Sequence, residues 1–276
     1  MYLEYWGLHE LPFENTPDPR FLYLSPIHQE ALVRLLYAIK GRKGAAMLVG
    51  EVGAGKTVLS RTLIARLPAE QYDIGLVTNP SLPPVDLLRE ILYQLGIATA
   101  SDNQADQQVQ SATSKLDLLH ALNEHCLRNW RQGKDTVIIV DEAQCIDDPE
   151  TFEELRLLLN FQLNERFLLT LLLVGQPELK ERITVLPQLE QRIALHYHLT
   201  PLSAEETANY IQHRLSLAQA SRPLFTSDAL RVIHDHTRGV PRRINTLCDF
   251  SLLVGANTQE TRIDARLIAQ VIQDEN

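Results

Sequence analysis

The chain has 276 residues, of which 45% are hydrophobic and 22% charged, which is ordinary for a soluble globular protein of one large or two modest domains. Its formal net charge of −9 argues against a protein that coats nucleic acid. The three cysteines, Cys126, Cys145 and Cys248, are too few and too far apart to predict a disulfide framework or a zinc site.

The first 25 residues combine aromatic side chains with prolines, among them Trp6, Pro17 and Tyr23. Prolines at this density disfavour regular helix or sheet, and the segment is too apolar for a disordered tail. We therefore predict that residues 1–25 form an extended arm on the body of the protein.

The N-terminus lacks the positively charged region and the long apolar core of a signal peptide. The longest apolar run, residues 167–174, is too short to span a bilayer. These features predict a soluble, cytoplasmic protein with no direct membrane insertion, so that a role at the inner membrane would be peripheral and would need a partner.

A helix is predicted between the arm and the first strand. Ser25 followed by Pro26 is typical of an N-cap and a first helical position, and an apolar stripe continues to Gly41. The basic residues that follow are favourably placed for the helix dipole and predict a solvated helix end.

Residues 50–57 fit the pattern G-x-x-x-x-G-K-[ST] of the phosphate-binding loop, between a predicted strand at 45–49 and a predicted helix. Glycines let the backbone aim its N–H groups inward, and the positive end of the helix favours phosphate. We expect Lys56 to reach the β- and γ-phosphates and the Thr57 hydroxyl to hold Mg²⁺. The predicted triphosphate-binding residues are Gly50, Glu51, Val52, Gly53, Ala54, Gly55, Lys56, Thr57 and Val58.

The next predicted elements are a strand at 72–77 and a helix at 84–95. Residues 99–114 are polar and lack apolar periodicity, which predicts a mobile loop. A further helix is predicted from Leu116 through Cys126, ending near residue 133.

Residues 137–140 predict a buried strand that ends in two acids, Asp141 and Glu142. Ligands of open α/β sheets lie at the carboxyl edge of the strands. We therefore expect Asp141 to hold Mg²⁺, directly or through water, and Glu142 to polarise the attacking water as a general base. This pair favours hydrolysis of the triphosphate over its storage.

Apolar spacing from Phe152 to Leu163 predicts a helix, and residues 168–174 predict another buried strand. Gln176 follows that strand and is expected at the same sheet edge as Asp141, where it would sense the γ-phosphate or orient water. A last strand is predicted at 194–199.

From residue 200 onward the pattern is all-helical. Ser203 and Glu206 fit a capping box, Thr226 or Ser227 caps the next helix, and Asp264 caps the last one. We predict an α/β class fold: a P-loop NTPase parallel sheet flanked by helices, followed by a small helical lid. The predicted domains are an arm at 1–25, an α/β domain at 26–200 and a lid at 201–276.

The order of these motifs resembles the AAA+ ATPases along nearly the whole chain. The start resembles more specifically the ExeA/GspA family of secretion-pathway ATPases, which includes MshM-like and exosortase-associated ATPases. The segments that carry this second resemblance are Trp6-Gly7-Leu8, Pro12-Phe13, Thr16 to Ser25, His28, Glu30-Ala31-Leu32 and Val174 to Leu179.

The resemblance implies a ring-forming homo-oligomer that hydrolyses ATP with Mg²⁺. Gln176 falls at the sensor 1 position, where AAA+ proteins more often carry Asn, Ser or Thr. Arg192 matches the arginine finger that reaches a neighbouring subunit's nucleotide. Arg242 matches the sensor 2 arginine of the lid, with Arg243 as its rival. Because the sequence ends at Asn276, the periplasmic peptidoglycan-binding extension of full-length relatives is not expected.

Two functions compete. The first is an ATP-driven motor or switch that helps to assemble a secretion, pilus or polysaccharide-export system, with an inner-membrane component as partner. The second is a DNA-associated ATPase of the transposition-helper type, which the acidic balance disfavours. A GTPase is disfavoured because the chain has no Asn-Lys-x-Asp stretch, and a small-molecule kinase because an Asp-Glu pair favours water as the acceptor.

Overall fold

The computed structural model describes residues 2–16, 18–97 and 114–274. The predicted mobile loop at 99–114 therefore lies, except for Ser114, outside the described residues. Within the described ranges no helix is both long enough and apolar enough to cross a bilayer.

Two compact units make up the chain. The first unit comprises Met1–Gln29, Glu51–Arg61 and Leu199–Asn276, and the second comprises Glu30–Gly50 and Thr62–His198. The N-terminal arm thus falls in the same unit as the C-terminal helices. The predicted domain boundaries near residues 25 and 200 stay predictions.

A five-stranded sheet forms the centre of the second unit, with strand order β2-β3-β6-β1-β7. Strands β4 and β5 form a separate hairpin. The strands are β1 (Ala45–Gly50), β2 (Tyr72–Val77), β3 (Asp135–Val140), β4 (Gln162–Leu163), β5 (Arg166–Phe167), β6 (Leu169–Gly175) and β7 (Ile193–Leu199).

The inner strands are almost continuously apolar, as expected for parallel strands covered on both faces. Every residue of β1 and β6 is buried. Parallel register sets Val49 opposite Gly175 and Val140 opposite Leu173. The carboxyl ends of β1, β6 and β3 therefore meet at one edge of the sheet.

Helices follow most of the strands. Those of the second unit bury Leu88, Leu122, Leu155 and Leu179 in one apolar core with the inner strands. The helices are α1 (Tyr2–Trp6), α2 (Pro26–Lys40), α3 (Lys56–Ala65), α4 (Pro84–Gln94), α5 (Lys115–Arg131), α6 (Pro149–Leu158), α7 (Glu178–Thr184), α8 (Pro187–Glu190), α9 (Ala204–Leu217), α10 (Ser227–Thr237), α11 (Pro241–Asn257) and α12 (Ala265–Asp274).

The helix predicted to continue to Leu163 ends at Leu158, so the prediction was wrong over its last turn. Asn164 and Glu165 both have positive φ, at 50° and 61°, and reverse the chain between β4 and β5. The apolar spacing continues through this hairpin, which is why periodicity alone predicted a helix.

The N-terminal arm is part of the apolar core of the first unit. Trp6 is buried and donates its Nε1–H to the carbonyl of Leu252 in α11, at 2.8 Å. Phe13 meets the ring of Phe225 edge to face. Residues 2–6 form the helix α1, and a 3-10 turn occupies Pro19–Phe21, so the prediction of a wholly extended arm was wrong.

A buried arginine fastens this arm to α9. The guanidinium of Arg214 donates to the carbonyls of Pro12 and Glu14 and lies over the rings of Phe21 and Tyr210. Hydrogen bonds from a charged donor are stronger than neutral ones, and the aromatic faces stabilise the desolvated cation. Arg214 therefore holds the part of the arm between α1 and the 3-10 turn through hydrogen bonds to its backbone carbonyls.

The helix starts predicted in the C-terminal region are confirmed. Ser203 and Glu206 form the capping box at α9. The Thr226 hydroxyl accepts from the backbone N–H of Ala229, so Thr226 is the cap of α10. The Asp264 carboxylate accepts from the third residue of α12.

Candidate nucleotide-binding site

Residues 51–58 of the predicted phosphate loop belong to the first unit, whereas Gly50 and the part of α3 beyond residue 61 are counted with the second. Gly53 and Gly55 have φ of 80° and 98°, values that side chains other than glycine rarely adopt. The N–H of Ala54 donates to the carbonyl of Glu51, at 3.1 Å. The two glycines thus shape a tight turn immediately before a helix.

Lys56 is the first residue of α3, and its side chain is only 6% exposed. Its ammonium group donates to the carbonyl of Glu51 at 3.0 Å, on the same loop. Thr57 is half-buried at the second helical position. A cation and a hydroxyl therefore lie at a helix N-terminus, the end that favours anions.

The start of α11 contacts this loop within the first unit. The backbone N–H of Arg242 donates to the carbonyl of Gly53 at 3.2 Å. A Cβ at Gly53 would lie 2.6 Å from the Cβ of Arg242, so only glycine fits there. Arg243 points elsewhere, since its guanidinium donates to the carbonyl of His236. Of the two rival arginines, Arg242 is the one in contact with the phosphate loop.

His28, at the start of α2, also contacts the loop. The sequence analysis assigned this residue no role in the site. Its Nε2 lies 3.1 Å from the carbonyl oxygen of Ala54, and its Nδ1 lies 2.8 Å from the Ser25 hydroxyl. Burial lowers the pKa of His28, against smaller opposing effects of the Ala54 carbonyl and the Glu206 carboxylate. The imidazole is therefore neutral near neutral pH.

In the second unit, three predicted site residues follow neighbouring strands. Gly50 ends β1, Gln176 follows β6 and Asp141 follows β3. These strands are adjacent and parallel in the order β3-β6-β1. The fold therefore brings Gly50, Gln176 and Asp141 to one sheet edge. The sequence analysis predicted this placement for Gln176 and Asp141.

The acidic pair has a defined local geometry. Asp141 is 3% exposed, and its Oδ1 accepts from the backbone N–H of Glu142 at 2.9 Å. Glu142 is half-buried and has φ of 53°, which is uncommon for a residue with a side chain. Strained backbone of this kind concentrates at functional sites.

Gln144 links the acidic pair to Gln176 and was missed by sequence reasoning. Its Nε2 donates to Glu142 Oε2 at 2.6 Å, and its Oε1 accepts from the backbone N–H of Gln176 at 2.9 Å. A Cβ at Gly175 would lie 2.7 Å from Gln144 Oε1. The Gln144 amide therefore fixes the Glu142 carboxylate, and Gly175 leaves room for it.

Arg192 lies beyond α8 and is half-buried. Its guanidinium donates to the carbonyl of Leu159 at 3.3 Å and to the Asn160 side chain at 3.2 Å. Its hydrogen-bond partners thus follow the end of α6, and neither of them is a predicted site residue.

Comparison with known proteins shows the family of this chain. A family model described as an AAA domain matches residues 39–183, just over half of the chain. The chain belongs to the AAA domain family. The parallel sheet, its helices and the helical C-terminal region of this AAA protein confirm the predicted fold class.

Among curated proteins, the AAA protein is 41% identical to general secretion pathway protein A of Aeromonas hydrophila over 92% of its own length and 44% of the relative's. This match confirms the resemblance to that family. The AAA protein is also 23% identical to an uncharacterised HTH-type transcriptional regulator of Methanocaldococcus jannaschii, over 85% of this chain and 64% of that relative. The AAA protein therefore spans less than two thirds of either relative.

Solved structures show the same fold at low identity. The ORC2 protein of Aeropyrum pernix, solved as ADPNP–ADP complexes, aligns with a TM-score of 0.70 and 20% identity. The alignment covers 95% of this AAA protein and 71% of that chain.

Proposed function

We propose that this AAA protein binds ATP with Mg²⁺, hydrolyses it, and acts as an oligomeric motor or switch in assembly of a bacterial secretion, pilus or polysaccharide-export system. The observation that carries the proposal is the phosphate loop, with two glycines at positive φ and a buried lysine at the start of α3. The 41% identity to general secretion pathway protein A supports the secretion setting.

The residues of the chain fit this ligand. A Cβ at Gly53 would meet Arg242 and one at Gly55 would meet His28, so these positions require bare glycine backbone. Successive backbone N–H groups in such a loop can bind phosphate oxygens. The Thr57 hydroxyl and the Asp141 carboxylate are the hard oxygen donors that Mg²⁺ prefers. When bound, Mg²⁺ neutralises charge on the β- and γ-phosphates. ORC2 of Aeropyrum pernix, a protein of the same fold, has been solved as ADPNP–ADP complexes.

Each proposed site residue has one task in hydrolysis. Lys56 pairs with the β- and γ-phosphates, and Glu142 accepts the proton of the attacking water. Gln176 orients that water or contacts the γ-phosphate. Arg242 stabilises the negative charge that develops on the γ-phosphate in the transition state. Gly50, Glu51, Val52, Gly53, Ala54, Gly55 and Val58 supply the loop around the phosphates.

Calorimetry with Mg·ATP and a phosphate-release assay test the basic activity. We expect binding heat, turnover that stops when EDTA removes Mg²⁺, and a larger particle in light scattering with a non-hydrolysable ATP analogue. Absence of both heat and phosphate release would refute ATP hydrolysis. Co-purification with an inner-membrane secretion component, rather than salt-sensitive DNA binding, would separate the secretion role from the DNA-associated alternative.

Arg192→Ala should leave ATP binding intact and lower turnover by about 10³-fold, the effect of losing an arginine finger. In the assembled ring, Arg192 would exchange its contacts with Leu159 and Asn160 for the nucleotide of the next subunit. Mixing Arg192→Ala with Lys56→Ala subunits should partly restore turnover, since one supplies the phosphate loop and the other the arginine. Turnover assays on the separate and mixed proteins measure this.

Arg166→Ala, at an exposed arginine of the β4–β5 hairpin, is the matched control for that experiment. It should turn over normally. Normal turnover of Arg192→Ala alone, or no recovery in the mixture, would remove Arg192 from the proposed mechanism.

Arg242→Ala should lower kcat by about 10²-fold, comparable to losing one transition-state hydrogen-bond donor, whereas Arg243→Ala should change it less than about threefold. The substitution keeps the backbone N–H that contacts Gly53, so it tests the guanidinium alone. Steady-state kinetics of both variants measure the difference. Equal losses would assign the contact between Arg242 and the loop a purely structural role.

A further inference from the structure

We propose that His28 is a positioning residue for nucleotide binding, which fixes the orientation of the Ala54–Gly55 peptide in the phosphate loop from the side opposite the phosphates. The inference rests on the proposed function, that this loop binds a triphosphate. His28 lies 26 positions before Ala54 in the sequence, at the start of α2, and belongs with the loop to the first unit.

The hydrogen-bond partners define the state of the imidazole. A carbonyl oxygen only accepts, so Nε2 carries a proton and donates it to Ala54. The neutral ring then has an acceptor at Nδ1, and the Ser25 hydroxyl donates to it. His28 is 3% exposed and Ser25 is fully buried. Burial lowers the pKa of His28 and so favours this neutral form. Ser25 and His28 therefore form a chain of two hydrogen bonds that ends at the Ala54 carbonyl of the loop.

Anchoring the Ala54 carbonyl determines where the next N–H points. In a trans peptide the C=O of one residue and the N–H of the next point in opposite directions. With its carbonyl held by His28, the Ala54–Gly55 peptide directs the Gly55 N–H away from His28. In the proposed function this is the direction of the phosphates. A hydrogen bond to the carbonyl also polarises the peptide and strengthens its N–H as a donor.

The close packing supports a positioning role for His28. A Cβ at Gly55 would lie 3.2 Å from Nε2 of His28, so the ring lies against the backbone of the loop. Gly55 has φ of 98°. Because glycine can adopt many backbone conformations, contacts with neighbouring residues are needed to keep it in this one. The imidazole supplies one of the contacts that hold it.

Two amide substitutions separate positioning from simple core filling. The amide nitrogen of glutamine reaches where Nε2 lies and can donate to Ala54, whereas the shorter asparagine reaches only the Nδ1 position near Ser25. We would compare wild type, His28→Gln, His28→Asn and His28→Ala by calorimetry with Mg·ATP, by steady-state kinetics and by thermal melting without nucleotide. Ser25→Ala covers the case in which His28 variants fail to fold. It removes the hydroxyl that donates to Nδ1 and that also accepts from the backbone N–H of His28 at the start of α2, so its melting temperature is compared as well.

His28→Asn and His28→Ala are expected to raise the Kd for Mg·ATP by about tenfold, the loss of one backbone-directed hydrogen bond, with KM rising in parallel and kcat changing less than about twofold. His28→Gln should stay within about threefold of wild type, and Ser25→Ala should weaken binding by about threefold. Wild-type affinity in the asparagine and alanine variants, or in Ser25→Ala if those two do not fold, would overturn the proposal. So would losses of affinity that follow only the melting temperature. A wild-type protein that binds no ATP would instead refute the proposed function.

Discussion

Replacing Glu142 with glutamine should lower the rate of ATP hydrolysis by about 10²- to 10⁴-fold, the usual contribution of a general base, while the affinity for Mg·ATP changes little. Glutamine has the same shape but cannot accept a proton from water. Its carbonyl oxygen can still accept the hydrogen bond that Gln144 donates to Glu142. The variant therefore isolates the chemical step from the position of the side chain.

The measurement is phosphate release at saturating ATP, with calorimetry to confirm binding. The variant should also accumulate in an ATP-bound oligomer, because a stalled site keeps its γ-phosphate. Glu165→Gln, at an exposed acid in the β4–β5 hairpin, is the matched control and should hydrolyse normally. A Glu142→Gln protein that turns over within tenfold of wild type would exclude Glu142 as the base.

The local parts of the candidate site could be predicted because each of them is formed by residues that are adjacent in the sequence. The strand β1, the loop and the start of α3 follow from one glycine pattern and one apolar segment. Asp141 and Glu142 follow directly from the end of β3. Parallel strands then bring the residues at their carboxyl ends to one edge without further information.

The contacts between distant segments could not be predicted in this way. His28 meets Ala54, and Arg242 meets Gly53, only because the first and last parts of the chain fold together in one unit. Nothing in the spacing of Arg242 and Arg243 distinguishes them. The structure does so through a backbone hydrogen bond and the lack of a Cβ at Gly53.

Two predictions of secondary structure were wrong because local sequence patterns alone did not determine the structure. Proline density predicted an arm without helix, but Tyr2 and Trp6 pack against α11 and stabilise a short helix that local propensity did not reveal. Tertiary burial overrode propensity there. The apolar spacing continued to Leu163, so periodicity did not reveal that the helix gives way to β4 and to a turn with positive φ at Asn164 and Glu165.

The first unit joins parts of the chain that are remote in sequence at one loop. The start of α2 contacts the loop through His28, and α11 contacts the loop through Arg242. The arm that precedes α2 is held to α9 by Arg214. A change in the loop on binding phosphate would therefore act on both the start of α2 and the start of α11. In the proposed function, this is the route by which nucleotide state would reach the rest of an oligomer.

Replacing Lys56 with alanine should weaken Mg·ATP binding by about 10²-fold or more, to the point that no binding heat is measured at ordinary protein concentrations. Lys56 is buried at the start of α3 and donates to the carbonyl of Glu51, so the loop holds its charge where phosphate oxygens would gather. Without it, the phosphates would lose the buried cation that the loop itself holds beside them.

Calorimetry decides this, and the design must separate lost binding from lost folding. Thermal melting without nucleotide shows whether the fold survives the loss of this buried ammonium group. Lys40→Ala, at an exposed lysine on the last turn of α2, is the matched control and should bind as wild type. If Lys56→Ala melts normally and still binds Mg·ATP with wild-type affinity, the loop is not the triphosphate site. The roles proposed for Thr57, His28 and Arg242 would then fail with it, because each is defined by the phosphates that the loop would hold.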